Sequence, residues 1–438
     1  MSDRWIRKGL KERQLAAAAL GEVIGNGKQC DEALELSRAD TSLPARDRAF
    51  VQAIVMTSLR HRGIIDRVLS DFLARPLPAK AQQARWLLMT ATAQLLFMDA
   101  PAYAVIDLSV EAARADRKSQ HLAGLVNAVL RRVASDGKAR LDSLDPARDN
   151  LPPWLWQRWC LIYGEAAARQ IVLAHAREPA TDLSVKADPE DWARRLGGSL
   201  LPTGTIRLPS GHGPIADLPG FAEGAWWVQD VAAALPVRLF GDVRGKRVLD
   251  LCAAPGGKTM QLAAAGGQVT AVDRSAQRLQ RLRDNLSRLS LAAEVVTGAA
   301  EESGNLGAFD GVILDAPCSA TGTVRRHPEL PYQRTESSIG VLAGRQKIML
   351  DAAAARVKPG GLLVYCTCSL EPEEGEGQIE RFLDHHDDFQ LQPIAPGEGG
   401  MPDIFISETG YLRTLPFMAC GTAETMDGFF AARLLRTG

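Results

Sequence analysis

Two short stretches of this chain place a cysteine where a nucleophile would be useful: Asp315-Ala316-Pro317-Cys318-Ser319 and Thr367-Cys368-Ser369. Each follows an apolar run, Val312-Ile313-Leu314 and Leu362-Leu363-Val364-Tyr365. In open α/β sheets, ligands gather at the carboxyl ends of the strands, so both thiols fall where chemistry is done. A thiolate there suits a ring such as cytosine. Its carbon-5 is a poor nucleophile, and thiolate addition to carbon-6 makes the ring enamine-like, able to take a methyl cation from a sulfonium. A second group must then remove the carbon-5 proton so that the first sulfur can leave. Blander uses stay open. A free cysteine is often a small buried hydrophobe. Cys252, Cys318, Cys366 and Cys368 could hold zinc, although Cys-x-x-Cys spacing is absent. A Cys318–Cys368 disulfide would need an oxidising compartment. Cys366, two residues before Cys368 and so on the same strand face, reads as core packing.

A second stretch, Asp250-Leu251-Cys252-Ala253-Ala254-Pro255-Gly256-Gly257-Lys258-Thr259, leaves one strand and enters a helix. Small residues and two glycines let the backbone turn tightly and approach a ligand, and the helix start offers free N–H groups. This is a nucleotide-type site, and Asp273, directly after the second strand, is placed to hold ribose hydroxyls. The rival is a P-loop NTPase, since Gly257-Lys258-Thr259 ends like that motif. It fails where the first glycine is required, because Cys252 stands there and Pro255 removes a donor from the phosphate cradle.

The elements that carry these residues are short apolar strands alternating with helices after Gly245: residues 247–251, 269–272, 294–296, 312–314 and 362–365. That alternation predicts βαβ units and a doubly wound parallel sheet. From Leu10 to about Val133 the apolar residues instead recur at three- and four-residue steps, which predicts a bundle of six or seven helices broken near Gly25, Pro44 and Pro76. Ser135 to Asn150, ending at Pro152-Pro153, reads as a linker, and 154–241 as a small α+β unit. The expected domains are 1–140, 141–240 and 241–438. Of 438 residues, 46% are hydrophobic and 24% charged, as in an ordinary globular protein, and the seven cysteines do not suggest a disulfide scaffold. No run approaches the ~20 apolar residues of a membrane span. Met1 to Arg13 lacks the apolar middle of a secretory signal, so a cytoplasmic address is expected. Residues 1–140 carry 22 Lys+Arg against 15 Asp+Glu and the remainder 29 against 37, a basic front compatible with an RNA-binding module or with solvated helix faces.

The joint occurrence, in order, of Leu-Cys-Ala-Ala-Pro-Gly-Gly-Lys (251–258), Asp-Ala-Pro-Cys-Ser (315–319) and Thr-Cys-Ser (367–369) resembles the bacterial RNA cytosine-C5 methyltransferase family. Residues 322–328, 227–230 and Asp427-Gly428-Phe429-Phe430-Ala431-Ala432 also look like family motifs. Residues 1–140 resemble a NusB-like RNA-binding domain, a fusion similar to the subfamily that methylates a cytosine of small-subunit (16S) ribosomal RNA. The resemblance implies an all-α NusB-like bundle, a small RRM-like α+β domain and a Rossmann-like, class I S-adenosylmethionine-dependent catalytic domain. It implies an RNA partner; no metal, no membrane and a monomer are expected as well. It implies Cys368 as nucleophile, with Cys318 assisting proton removal and product release, and Asp315 and Lys258 touching the cytosine. Cys252, Ala253, Ala254, Pro255, Gly256, Gly257 and Lys258 would hold the cofactor with Asp273, Arg278 and Asp315.

One position departs from the family: Gly298 is followed by Ala299 where an Asp usually bonds the adenine amino group. A backbone group, Glu301 or Glu302 would have to substitute, or affinity falls by the ~0.5–1.5 kcal/mol of one neutral hydrogen bond. The target base must be flipped or single-stranded for a thiol to reach it. Arg325-Arg326-His327 are expected to grip flanking phosphates, as is the run Arg4, Arg7, Lys8, Lys11 and Arg13. The remaining alternative is a catalytically silent RNA-binding or assembly protein on the same scaffold, against which the paired cysteines argue.

Overall fold

A computed structural model of the chain describes residues 8–40 and 43–438. Contacts divide them into two compact units. One holds the chain up to Arg177 together with Val324–Gln333, the other Glu178–Thr323 and Arg334–Gly438.

The first unit is helical: α1 (Leu10–Asn26), α2 (Cys30–Ala39), α3 (Ala45–Arg60), α4 (Arg62–Phe72), α5 (Gln82–Phe97), α6 (Ala102–Ala115), α7 (Ala123–Asp142), α8 (Pro153–Tyr163) and α9 (Glu165–His175). Pro44 and Pro101 stand immediately before α3 and α6, where a missing N–H costs nothing. Helix α5 is buried without interruption from Trp86 to Gln94, which makes it the bundle's core helix. Its polar side chains turn back on its own backbone, Thr90 Oγ1 to the Trp86 carbonyl at 2.9 Å and Gln94 Nε2 to the Thr90 carbonyl at 3.0 Å. The expected boundary at 140 is not where this unit ends. Asp145 takes a two-bond guanidinium contact from Arg169 (2.8 and 2.7 Å), and the Gly63 backbone lies so close to Asp149 that a Cβ would stand 2.5 Å from its carbonyl oxygen. The segment read as a linker is thus packed onto the bundle.

The second unit opens with a four-stranded antiparallel sheet, β1 (Asp182–Val185), helix α10 (Pro189–Leu196), β2 (Ser199–Leu200), β3 (Ile206–Arg207) and β4 (Trp226–Val228), in the order β2-β3-β1-β4. Arg207 grips the buried Asp182 carboxylate with two bonds, 2.7 and 2.8 Å. This small sheet falls in the same compact unit as the large one rather than forming a third body.

The large sheet follows α11 (Val231–Arg238): β5 (Arg247–Leu251), α12 (Gly257–Ala264), β6 (Gln268–Asp273), α13 (Ala276–Leu289), β7 (Glu294–Thr297) and β8 (Phe309–Asp315). The chain then visits the first unit through Val324–Gln333, which ends in the one-turn helix α14 (Leu330–Gln333). There Tyr332 lies under the Arg62 guanidinium at 4.0 Å and donates to the Asn150 carbonyl at 3.1 Å, while the Cys30 N–H donates to buried Glu329 at 3.2 Å. It returns through α15 (Glu336–Ala354), β9 (Val357–Thr367), α16 (Glu376–Leu383), β10 (Phe389–Leu391), β11 (Leu412–Thr414) and β12 (Phe429–Arg436). The sheet order is β10-β12-β9-β8-β5-β6-β7, with β11 paired to β12. The five predicted strands pair in parallel, and three antiparallel strands, unforeseen in the sequence, extend the sheet beyond β9.

Side chains alternate between two cores: Val248, Ile313, Val364 and Cys366 on one face, Leu249, Leu251, Val312, Leu314, Leu363 and Tyr365 on the other. Both faces are covered, which is why these strands read as unbroken apolar runs. No helix among the described residues is long and apolar enough to cross a membrane.

Candidate active site

The carboxyl ends of β5, β6, β8 and β9 gather the residues that the sequence singled out. Beyond β5 the loop turns through Cys252 in the left-handed region (φ 61°) and Gly256 (φ 110°) into α12. At Gly256 a Cβ would meet Leu282 Cδ1 at 2.2 Å, so only glycine fits. Asp273, nearly buried at the end of β6, accepts from the Ala254 N–H (3.2 Å) and the Ser275 N–H (2.8 Å). Arg278 reaches back to the Ala254 carbonyl and stands 3.6 Å from Asp273, so it fastens the loop from outside. Residues 252–258, Asp273 and Arg278 are therefore brought together.

Beneath the loop, the fully buried Asp250 accepts from Thr259 Oγ1 at 2.5 Å, while its other oxygen has no partner among the described residues. Burial pushes its pKa up to about 7. A glycine-lined turn, a helix start and an unmatched buried carboxylate oxygen fit a polar nucleoside ligand such as S-adenosylmethionine. At the end of β7 the grip is weaker. Ala299 is half-buried and has only a methyl to offer, and Glu301 and Glu302 beside it are exposed. A Cβ on Gly298 would touch only Val272, at 3.9 Å, so that edge is open.

At the other end, the Lys258 ammonium donates to Asp315 at 2.8 Å and lies 4.9 Å from the centre of the Phe429 ring. Burial, the largest single influence, would lower the Lys258 pKa; Asp315 by charge and hydrogen bond, with Cys366 and Asp250, together outweigh it and hold the value above the ordinary one, so the group stays charged. Cys318 and Cys368 are free and half-buried, with their sulfurs 3.5 Å apart, well beyond a disulfide's length. The neighbouring Cys368 and burial raise the Cys318 pKa, so it is the thiol rather than the thiolate that rests there. Cys366 is buried, its sulfur 3.8 Å from Asp315, in keeping with core packing. The four-cysteine zinc alternative lacks its geometry: among the described residues no group of three or more His, Cys, Asp or Glu is placed to hold a metal. Beyond Cys318 the loop is tied to its partner, Gly322 N–H donating to the Cys368 carbonyl at 3.0 Å. Gly322 lies so close to Gly428 that a Cβ would stand 2.1 Å from its carbonyl oxygen.

The expected phosphate contacts fare differently. Arg325 is fully buried, which removes it from any exposed phosphate-gripping trio; Arg326 and His327 are partly exposed. Arg13 is buried and donates to the Gly9 carbonyl at 3.0 Å, Lys11 pairs with Asp40 at 2.6 Å, and Lys8 is exposed. Arg4 and Arg7 lie outside the described residues. Three residues of the site escaped the sequence reading: Phe429 under Lys258, Gln229 packed on Gly257, and Glu374 beneath both cysteine loops. Phe429 and Gln229 lay inside motifs already noted, and that was the available signal. Glu374 sits in the acidic run 371–376, outside every motif singled out in the sequence.

Residues 239–435 match the family model described as 16S rRNA methyltransferase RsmB/F, and residues 10–135 match the NusB family. The chain is similar to the ribosomal RNA small subunit methyltransferase B of Klebsiella pneumoniae subsp. pneumoniae, 34% identical over 452 residues, covering 98% of this chain and 99% of the relative. It is 34% identical over 444 residues to the protein of the same name from Vibrio cholerae, covering 96% of each. A solved methyltransferase homologue from Pyrococcus horikoshii is 30% identical with TM-score 0.55, over 65% of this chain and 95% of that one. The structure of PH0851, 24% identical with TM-score 0.72 over 97% and 98%, is a likeness of fold alone. The chain belongs to the 16S rRNA methyltransferase RsmB/F family, as a NusB-type helical region joined to an S-adenosylmethionine-dependent, Rossmann-like methyltransferase region.

Proposed function

We propose that this protein methylates carbon-5 of a cytosine in 16S ribosomal RNA through a covalent bond between Cys368 and carbon-6. The observation that carries the reading is the pair of free thiols 3.5 Å apart at the ends of β8 and β9, next to the Lys258–Asp315 ion pair. Cys368 adds to carbon-6, which makes carbon-5 nucleophilic; after methyl transfer the carbon-5 proton leaves to a base, and elimination restores the thiolate. S-adenosylmethionine supplies the methyl group as its co-substrate, and residues 252–258 with Asp273 and Arg278 would hold it. Lys258 and Asp315 would contact the cytosine, and Cys318, beside Cys368, would assist proton removal and release. In this reading the helical unit and the small sheet, RRM-like as the resemblance implies, engage RNA, with Arg326 and His327 as phosphate contacts. The enzyme would work in the cytoplasm as a monomer.

The test is transfer of tritiated methyl to 16S RNA. Cys368→Ala should lose transfer by more than about 10³-fold, as removal of a nucleophile does, whereas Cys318→Ala should accumulate a protein–RNA adduct stable on a denaturing gel. Undiminished transfer by Cys368→Ala would sink the covalent mechanism.

A further inference from the structure

We infer that Glu374 is a positioning residue for the reaction, a buried clamp that holds the loops of Cys318 and Cys368 at the separation their chemistry needs. This rests on the reading of the two cysteines given above. Each cysteine is followed by a serine, and both serines bond to this one carboxylate. Ser319 donates to it from its backbone N–H, at 2.9 Å to Oε1 and 3.2 Å to Oε2, and from its hydroxyl. Ser369 donates its hydroxyl to Oε2 at 2.5 Å, and the two serine oxygens lie 3.0 Å apart. Gln346 on α15 donates its amide both to Oε1, at 2.9 Å, and to the Pro317 carbonyl beside Cys318, at 3.0 Å. The Glu374 carbonyl in turn accepts from Tyr365 on β9 at 2.8 Å, three residues before Cys368.

Ser319, Gln346, Ser369 and Glu374 are all without exposed surface. A buried carboxylate with no cation among these donors is expensive, and is tolerated where its hydrogen bonds are complete. Burial raises the Glu374 pKa, while Ser319, Ser369 and Gln346 oppose that rise by favouring the charged form. The carboxylate bonds to the serines that follow the two cysteines and to Gln346, so it acts through the loops. A loop shifted by an ångström can cost about 10²-fold in rate.

The isosteric Glu374→Gln substitution replaces one acceptor oxygen with a donor and opposes the Ser319 N–H or a serine hydroxyl. Full-length protein carrying it should show a single-turnover rate at saturating RNA reduced by about 10- to 100-fold. The KM for RNA and the affinity for S-adenosylhomocysteine should stay within about twofold, since residues 252–258 are untouched. Ser369→Ala, a milder cut, should cost about three- to tenfold, and the double variant should be no slower than Glu374→Gln alone, because both remove the same tie. Unchanged turnover in both single variants, or a loss matched by an equal loss of S-adenosylhomocysteine affinity, overturns the clamp. If Glu374→Gln does not fold, Ser369→Ala is judged by the same two criteria. Cys368→Ala runs in parallel. If it is inactive while Glu374→Gln turns over normally, the clamp alone fails; if it retains full turnover, the cysteine reading fails and the clamp with it.

Discussion

The two ends of the site are built to different standards. Around Cys318 and Cys368 the backbone is knitted across loops: Gly322 to Cys368, Leu370 to Thr321 at 3.0 Å, Gly428 to Gly322 at 2.8 Å, and both serines to Glu374. At the end of β7 the chain instead enters a 3-10 helix, Ala300–Leu306, outside any such cross-loop network. Gly298 is tied to Asp273 at 3.1 Å, and Ser303 turns back on Ala300 at 2.8 Å. On the proposed function, the difference follows from what each end would have to do. Bond making at a ring carbon needs sulfur, base and ring fixed together, whereas holding an adenine edge takes one hydrogen bond worth ~1 kcal/mol. Substitution is cheap at the second end and costly at the first.

Asp315→Asn would strike the tight end through its ion pair. It leaves the Lys258 ammonium buried without its counter-charge, and Lys258 is only 8% exposed on its side chain against 34% for Asp315. Breaking a buried pair is strongly destabilising, and with Asp315 partly in solvent the cost should be about 1–3 kcal/mol. A melting temperature lowered by several degrees, with single-turnover methyl transfer slower by about 10²-fold, is the expected pair of results. Normal turnover in Asp315→Asn would mean that the ion pair serves folding alone.

This contrast also separates what the sequence made legible from what it hid. Strands β5 to β9 were readable because helices cover both faces and every second residue enters one of two cores. Strand β12 was not, although it lies deep in the sheet: its Phe429-Phe430-Ala431-Ala432 start drew notice as a motif, and its partners β10 and β11 are three residues each. The cofactor loop was legible because Gly256 has no substitute at its φ. The burial of Arg325 was not legible, because nothing local shows that residues 324–333 belong with the helical unit. Glu374 was hidden for the same reason: two of the four acids in 371–376, Glu371 and Glu374, are buried, and the burial of Glu374 depends on Ser319 and Gln346, 55 and 28 residues away.

Asp250 allows the intermediate region, under the cofactor loop, to be placed on this scale by pH. Its folded pKa of about 7 lies above the ordinary value of 3.8, so the folded state holds a proton that the unfolded chain has released. The stabilisation it gives is complete below pH 3.8 and is lost as pH rises through about 7. The loss should be on the order of 2–4 kcal/mol. Asp250→Asn, which cannot titrate, should show a smaller fall in melting temperature between pH 4 and pH 7 than the parent. Parallel curves would mean that the unmatched oxygen is solvated rather than buried.

The smallest effect is expected at the loose end, and it has the opposite sign. Ala299→Asp restores an acceptor where the family usually has one, at a position whose backbone is extended (φ −82°, ψ 151°) and whose side chain is only half-buried. The new carboxylate need not displace packed atoms, so the protein should fold as before. One added bond to the adenine amino group would tighten S-adenosylhomocysteine binding by ~0.5–1.5 kcal/mol, about two- to tenfold, in calorimetry. Turnover at saturating co-substrate should not change, because the gain is shared by ground and transition states. Should affinity stay constant, the contact is already made by another group, and Glu301 is the nearest acid in sequence with an exposed carboxylate. Glu301→Gln would then weaken binding by a similar factor, and the tolerance of this edge would be explained by replacement rather than by absence.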